Sequence, residues 1–280
     1  MTDNADQIAE WNGPMGDRWA QMQADLDALT RPFGNAALAA AKVVSGEAVI
    51  DVGCGCGDTT FEIARAVGAN GSVLGVDVSR PMLVSAEARR QREGVANLKF
   101  VEADASAAPL PSNLDLLFSR FGVMFFEDPF PAFKHMSKSL KPGGRLAFVC
   151  WRAARENPWA TVPIGAARAA MGVPAPQMDP YAPSPFAFAD ETRTRRILEE
   201  AGFTDVTFTP FDHTVRLGAN AADGAEGSIR FGPAGRFIRE MGEGAIVQVL
   251  PAMTEALKPF ENADGCAPPG ATWIVTAKAG

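Results

Sequence analysis

The stretch Ala48 to Thr60, AVIDVGCGCGDTT, decides how this chain is read. A β-forming run, AVIDV, enters a loop in which Gly53, Gly55 and Gly57 alternate with Cys54 and Cys56, and DTTFEIARAV leaves it as an amphipathic helix. Such a strand–loop–helix junction is a cradle for a nucleotide-like group. Glycine permits the tight turn and close backbone approach, and the helix N-terminus offers unpaired N–H groups. The dinucleotide fingerprint asks for a small residue five places after its first glycine, but counting from Gly53 that place holds Asp58. A carboxylate there would lie against a pyrophosphate, so the spacing disfavours NAD or FAD and suits a phosphate-free cofactor held by main-chain contacts. The two cysteines have no His or further Cys nearby in sequence to complete a tetrahedral site; no metal is expected, and they are read as small side chains filling tight space.

Outward from this loop, short apolar runs alternate with amphipathic segments. SVLGVDV, LKFVEAD, LDLLFSR and GRLAFVCW read as strands, and RPMLVSAEARRQRE and PFPAFKHMSKSL as helices. Strands interleaved with helices pair in parallel through right-handed crossovers, giving an open doubly wound α/β sheet that binds ligands at the carboxyl ends of its strands. Residues 1–45 read as a helical lid, with Trp19, Met22, Leu26 and Leu29 at helical spacing and a break at Pro32. Residues 46–151 form the core, 152–190 a cap insertion with a Pro-rich loop, and 191–280 the remainder of the core. That last part carries DETRTRRILEEAGF as a helix, VTFTPFDHTVRL as a strand and ATWIVTAKA as the final strand. Between them lies a helical insertion at about 221–262, where Val247, Leu250, Met253 and Leu257 keep helical spacing.

The chain has 280 residues, 47% of them hydrophobic and 21% charged, with a formal net charge of −7. This is the profile of a globular protein with ample core, and without a run of Lys or Arg nucleic acid is not an expected partner. The acidic, polar start MTDNADQIAE lacks the pattern of a secretory signal, no apolar run reaches membrane-span length, and the four cysteines have no framework spacing. A cytoplasmic location is the expectation.

Asp77 follows Gly57 by twenty residues, at the end of SVLGVDV. A carboxylate there accepts hydrogen bonds from two ribose hydroxyls, so loop and acid together point to an adenosine-type ligand. At this point the sequence resembles the class I S-adenosylmethionine-dependent methyltransferases, especially the small-molecule group of ubiquinone-biosynthesis type. VIDVGCGCG looks like the first motif, GVDVSRPML like the next, FVEADASAAPLP like the adenine motif and KPGGRLAF like the start of the fifth strand. The resemblance implies a Rossmann-like seven-stranded sheet with the last strand antiparallel, and S-adenosylmethionine as cofactor. Gly53, Gly55 and Gly57 would lie against its methionine and ribose, Asp77 on the ribose, Val78 and Met82 beside the adenine, and Asp104 with the Ala105 N–H at the adenine edge. Ser119 would present its carbonyl to the methionine amino group, and Asp51 would organise the loop. Related enzymes close this site with N-terminal helices, so Trp11, Trp19 or Arg18 would reach the carboxylate or sulfonium; the competing reading is that the tryptophans only pack the lid.

For the substrate, SRFGVMFFEDPF follows the fourth strand beside the expected methyl position. Phe121, Met124 and Phe125 are candidates for an apolar wall, with Trp151, Trp159, Tyr181 and Phe186 from the cap region; core packing competes for each. Arg120 either binds an anionic substrate group or pairs with a helix carboxylate. No general base stands out: His135 sits on a crossover helix, Asp128 before Pro129 reads as a helix N-cap, and His213 is the weak remaining candidate. Methyl transfer to a small or medium organic molecule by in-line displacement is the expected activity, the two insertions enclosing a pocket or forming a homodimer interface. The alternatives are a protein or RNA methyltransferase, a non-catalytic cofactor-binding module, and a nicotinamide oxidoreductase. Acidic charge and the lack of an NPPY-like segment after the fourth strand disfavour the nucleic-acid reading.

Overall fold

The computed structural model describes residues 4–177, 179–242 and 244–280. Three helices open the chain, α1 (Ala5–Trp11), α2 (Pro14–Gln21) and α3 (Gln23–Ala41). The break expected at Pro32 does not occur, because α3 passes through it. A proline removes one helical N–H and disfavours a helix interior by about 3 kcal/mol; α3 offsets this by burying Leu26, Phe33, Ala37 and Ala41 along one side. The chain bends instead at Asn12–Gly13 and at Met22.

The alternating region follows as β1 (Ala48–Val52), α4 (Asp58–Val67), β2 (Ser72–Asp77), α5 (Arg80–Glu93), β3 (Leu98–Glu102), β4 (Leu114–Arg120), α6 (Pro129–Ser137) and β5 (Leu140–Trp151). Next come α7 (Pro158–Met171), α8 (Glu191–Glu200), β6 (Phe203–Thr214), α9 (Ala221–Phe231), α10 (Pro233–Met241), α11 (Ala245–Leu257), β7 (Glu261–Asn262), β8 (Gly265–Cys266) and β9 (Pro269–Ala279). The main sheet has seven strands in the order β3-β2-β1-β4-β5-β9-β6. β1 pairs in parallel with β2 and β4, β2 with β3, and β4 with β5. β9 runs antiparallel to β6: the Gly280 N–H bonds the Gly202 carbonyl and the Val215 N–H bonds the Pro268 carbonyl, so one strand's numbers fall as the other's rise. Central strands covered on both faces explain continuous apolar runs such as AVIDV, of which all but the first residue is buried.

The chain divides into two compact units, the first made of Met1–Cys150, Tyr181–Phe211 and Trp273–Gly280. Its core holds Ile50, Leu116, Leu117, Phe118 and Phe148 from the sheet, with Phe33, Phe61, Ile63 and Phe133 from the helices. The second unit is Trp151–Pro180 with Asp212–Thr272. The greater part of the two segments read as separate insertions thus lies in one compact unit, in which α7, α9, α10 and α11 pack together, while Tyr181–Phe211 falls in the first. Val249, Met253 and Leu257 supply the buried side of α11; Val247, expected on that side, is exposed because it lies two residues from Val249, on the opposite side of the helix. Asn157, fully buried, organises this unit: its Nδ2 donates to the carbonyls of Arg152, Ala153 and Ala271, and its Oδ1 accepts from Trp159 Nε1 and the Ala271 N–H.

Within the first unit the N-terminal helices dock on the loop after β2. Asn12 Nδ2 donates to the Val78 carbonyl at 2.7 Å and Asn12 Oδ1 accepts the Arg80 N–H at 3.0 Å. The Ser79 hydroxyl donates to the Trp11 carbonyl at 2.8 Å. Gly16 makes the approach possible, since a Cβ there would lie 2.0 Å from the Trp11 carbonyl oxygen and 2.7 Å from Ser79 Oγ. Gly16→Ala is therefore expected to undock α1 and α2, costing about 1–3 kcal/mol in urea denaturation and speeding protease cleavage near Gly13; unchanged stability and cleavage would disprove the close contact.

Candidate functional site

The loops at the carboxyl ends of β1, β2 and β4 meet in one place. Gly53, Gly55 and Gly57 have φ of 66°, 54° and 88°, the left-handed region that side chains disfavour. The Gly53 and Cys54 N–H groups both bond the Val76 carbonyl, and the Gly57 N–H bonds the Cys54 carbonyl. A Cβ on Gly53 would lie 2.7 Å from Gly122 Cα, so the β1 and β4 loops touch backbone to backbone. Gly122 is brought there by Phe121, a non-glycine residue at φ 60° whose N–H bonds the Val149 carbonyl at 3.1 Å. Ser119 fixes the same corner: its hydroxyl donates to the Val52 carbonyl at 2.7 Å and accepts the Gly122 N–H at 3.2 Å.

Two buried carboxylates flank the loop. Asp77 Oδ2 accepts the Gly55 N–H at 2.7 Å and Oδ1 accepts the Ser79 N–H at 2.8 Å. Burial raises its pKa against the opposing pull of these N–H groups. Asp51 Oδ2 accepts the hydroxyls of Thr59 at 2.8 Å and Thr60 at 2.7 Å, the organising role expected of it. Its Oδ1 is buried without a hydrogen-bond partner, and burial pushes the carboxyl up to about 6. Met82 is buried on α5, its Sδ 3.6 Å from where a Cβ on Gly55 would stand. Asp104 begins a turn after β3, its Oδ1 accepting the Ser106 N–H at 2.9 Å, with Ala105 buried beside it. These residues fit S-adenosylmethionine. A glycine-lined loop between two buried carboxylates, one with an open acceptor, suits a ligand bearing hydroxyl donors and positive charge and does not suit a pyrophosphate.

Cys54 and Cys56 are buried, and burial pushes the Cys56 thiol up to about 12 and Cys54 upward as well, so both are neutral. Among the described residues no group of three or more His, Cys, Asp or Glu is arranged to hold a metal ion.

The aromatic candidates separate. Trp11 makes edge-on contacts with Trp19 at 5.3 Å and Phe125 at 5.5 Å between ring centroids, joining the N-terminal helices to the segment after β4. Phe121 meets Phe33 at 5.9 Å, and Phe33 meets Phe211 at 5.9 Å. Met124, read as pocket wall, is instead in the core at 1% exposure. Trp151 is buried against Trp159 at 4.7 Å in the second unit, so its ring packs that unit's interior. Tyr181 is exposed and lies under the Arg193 guanidinium at 4.3 Å, next to α8. His213 is exposed near the end of β6, with Nδ1 2.9 Å from the Thr214 carbonyl, and belongs to the second unit.

Arg120 is engaged by two carboxylates. Its Nη1 bonds Asp58 Oδ2 at 3.0 Å and its Nη2 bonds Asp27 Oδ1 at 3.1 Å, while Arg31 Nη2 takes Asp58 Oδ1 at 2.9 Å. Of the two sequence readings of Arg120, the helix ion pair is the one formed. Asp27 and Arg31 were not singled out by the sequence, where they are polar positions of an amphipathic helix like many others. Asn12 was also missed; its only signal is the turn-forming Asn-Gly after Trp11.

A methyltransferase-domain family model matches residues 44–202. A demethylmenaquinone methyltransferase from Lactococcus lactis is 33% identical over 107 residues, covering 38% of this chain and 42% of the relative. Aklanonic acid methyltransferase DauC from a Streptomyces species is 32% identical over 118 residues, 42% of this chain and 54% of the relative. The chain thus spans about half the length of these curated relatives. The YcgJ protein of Bacillus subtilis shares the fold, with a TM-score of 0.57 at 16% identity over 88% of this chain and 97% of that one.

The raised carboxyl of Asp51 carries a stability prediction. Its folded pKa, about 6, lies above that of the unfolded chain, so the folded state holds the proton longer and stability falls as pH rises from about 4 to about 6. About two pKa units correspond to about 3 kcal/mol from this group. Urea denaturation across that range should show the loss in the wild type and a smaller one in Asp51→Asn; parallel profiles would refute it.

Proposed function

The chain belongs to the methyltransferase-domain family, among the class I S-adenosylmethionine-dependent methyltransferases, and from that premise we propose that it transfers the methyl group of S-adenosylmethionine to a small or medium organic molecule. The observation that carries the reading is Asp77, a buried carboxylate bonded to the Gly55 N–H at the end of β2. Each of its oxygens keeps a lone pair for a ribose hydroxyl after accepting its backbone N–H. The three loop glycines bring main chain to the ligand, Met82 and Val78 flank the adenine, and Asp51 offers its open oxygen to the positively charged methionine end. The cofactor when bound supplies a sulfonium-activated methyl group, so the protein need not generate an electrophile.

The chain's own contribution is alignment and exclusion of water. Trp11, Trp19 and Phe125 form one aromatic cluster on the N-terminal side, and Phe121, against Phe33, lies just past the end of β4. A face of this kind suits an apolar, ring-containing acceptor, in keeping with relatives named for demethylmenaquinone and aklanonic acid. No base is assigned, and an acceptor that arrives ionised needs none. Among the described residues no helix is long and apolar enough to cross a membrane. Four buried free thiols suit a reducing, cytoplasmic setting, which is part of the proposal.

Calorimetric titration tests the cofactor. S-Adenosylmethionine should bind and NAD should not, and Asp77→Ala should weaken binding by about 1.5–3 kcal/mol, the scale of charge-assisted hydrogen bonds. A protein that binds NAD alone would overturn the reading. Transfer of a tritiated methyl group to members of a phenol, quinone, carboxylic acid and amine panel is the expected activity; tight cofactor binding with transfer to none would favour a binding module.

A further inference from the structure

The charge chain Arg31–Asp58–Arg120–Asp27 is tied to both arms of the glycine cradle. Asp58 is the first residue of α4 and follows Gly57, the last glycine of the loop. Arg120 is the last residue of β4 and precedes Phe121, whose left-handed backbone sets Gly122 against Gly53. Asp27 and Arg31 both come from α3, one turn apart. The inner members are withdrawn from water, with side-chain exposures of 13% for Arg120, 10% for Asp27 and 5% for Asp58. Room for the Arg120 stem is made by Gly34, where a Cβ would stand 2.9 Å from Arg120 Cδ.

We infer that Arg120 is a positioning residue for cofactor binding: by bridging Asp27 and Asp58 it holds the exit of the glycine loop, the loop after β4 and helix α3 in one register. This rests on the reading of the cradle as an S-adenosylmethionine site. Two carboxylates from different elements converge on one guanidinium, and one cation cancels repulsion between them. A buried pair adds little net stability over an apolar substitute, but removing Arg120 leaves buried Asp27 without its ion-pair partner, while Asp58 keeps Arg31. Without Arg120, Asp27 and Asp58 lose the cation between them; burial already raises the pKa of Asp27, Arg120 opposes that shift, and the Asp58 charge adds to it. α3 and the start of α4 then separate, and the loop held between Asp58 and Gly122 loses its geometry.

The test is calorimetric titration of the full chain with S-adenosylhomocysteine, well below the unfolding temperature. Wild-type binding secures the cofactor reading, and its absence would sink that reading alone. Arg120→Met should bind about tenfold more weakly or worse, and Arg120→Met with Asp27→Asn should regain at least about threefold because the facing charge is gone. A residue that merely stabilises the fold would lower the thermal midpoint and leave affinity intact. Affinity unchanged in Arg120→Met, or a double variant no better than the single one, overturns the inference. Should Arg120→Met not fold, Asp27→Asn decides, since it keeps the Arg120–Asp58 pair: a severalfold loss of affinity supports the inference and wild-type affinity overturns it.

Discussion

The hydrogen bond from the Gly55 N–H to Asp77 holds the cradle together. It joins the loop after β1 to the end of β2, and Asp77 also takes the Ser79 N–H, which fixes the turn on which the N-terminal helices dock. A carboxylate is needed because one side chain must accept from two separate backbone donors and still have acceptor capacity left. Asn offers a single oxygen and a Ser hydroxyl a shorter reach. The surrounding glycines follow from the same constraint: a loop drawn so close to a neighbouring strand end has no space for Cβ atoms at Gly53 or Gly57, since a Cβ on the latter would stand 2.8 Å from Phe100 Cζ.

This arrangement stores free energy. Asp51 and Asp77 are both desolvated and both raised in pKa, so burial disfavours their charged forms. Phe121 adds a left-handed backbone at a position without glycine. A ligand that supplies donors and positive charge relieves the first cost and stabilises the folded state by mass action. The unpartnered Asp51 oxygen, the buried Asp77 and the left-handed Phe121 thus lie together at the ends of β1, β2 and β4.

The sequence disclosed this much because local chemistry and fold agree there. Glycine spacing, the acid twenty residues past Gly57 and the period of the strands are all signals near one another along the chain, and each pointed to the same sheet. Elsewhere tertiary packing overrode local signals. Pro32 reads as a stop, yet the buried face of α3 carries the helix through it. Met124 sits among plausible pocket residues but turns into the core, and two segments far apart in sequence lie in one compact unit. Which face a side chain takes, and which distant segment covers it, depends on long-range contacts that no local window contains.

Asp58 shows how a departure from a motif becomes informative. At the sequence level it served only to exclude a pyrophosphate, since it stands where a dinucleotide-binding loop has a small residue. In the fold that carboxylate starts α4, where negative charge is favoured by the helix dipole, and it recruits Arg120 and Arg31. A loop that binds phosphate uses its helix N-terminus for the ligand. Here the N-terminus is occupied by the chain's own acid, and the proposed ligand site falls to the loop main chain and to Asp77. The residue that argues against one cofactor thereby joins α3 to the glycine loop through Arg31 and, by way of Arg120, through Asp27.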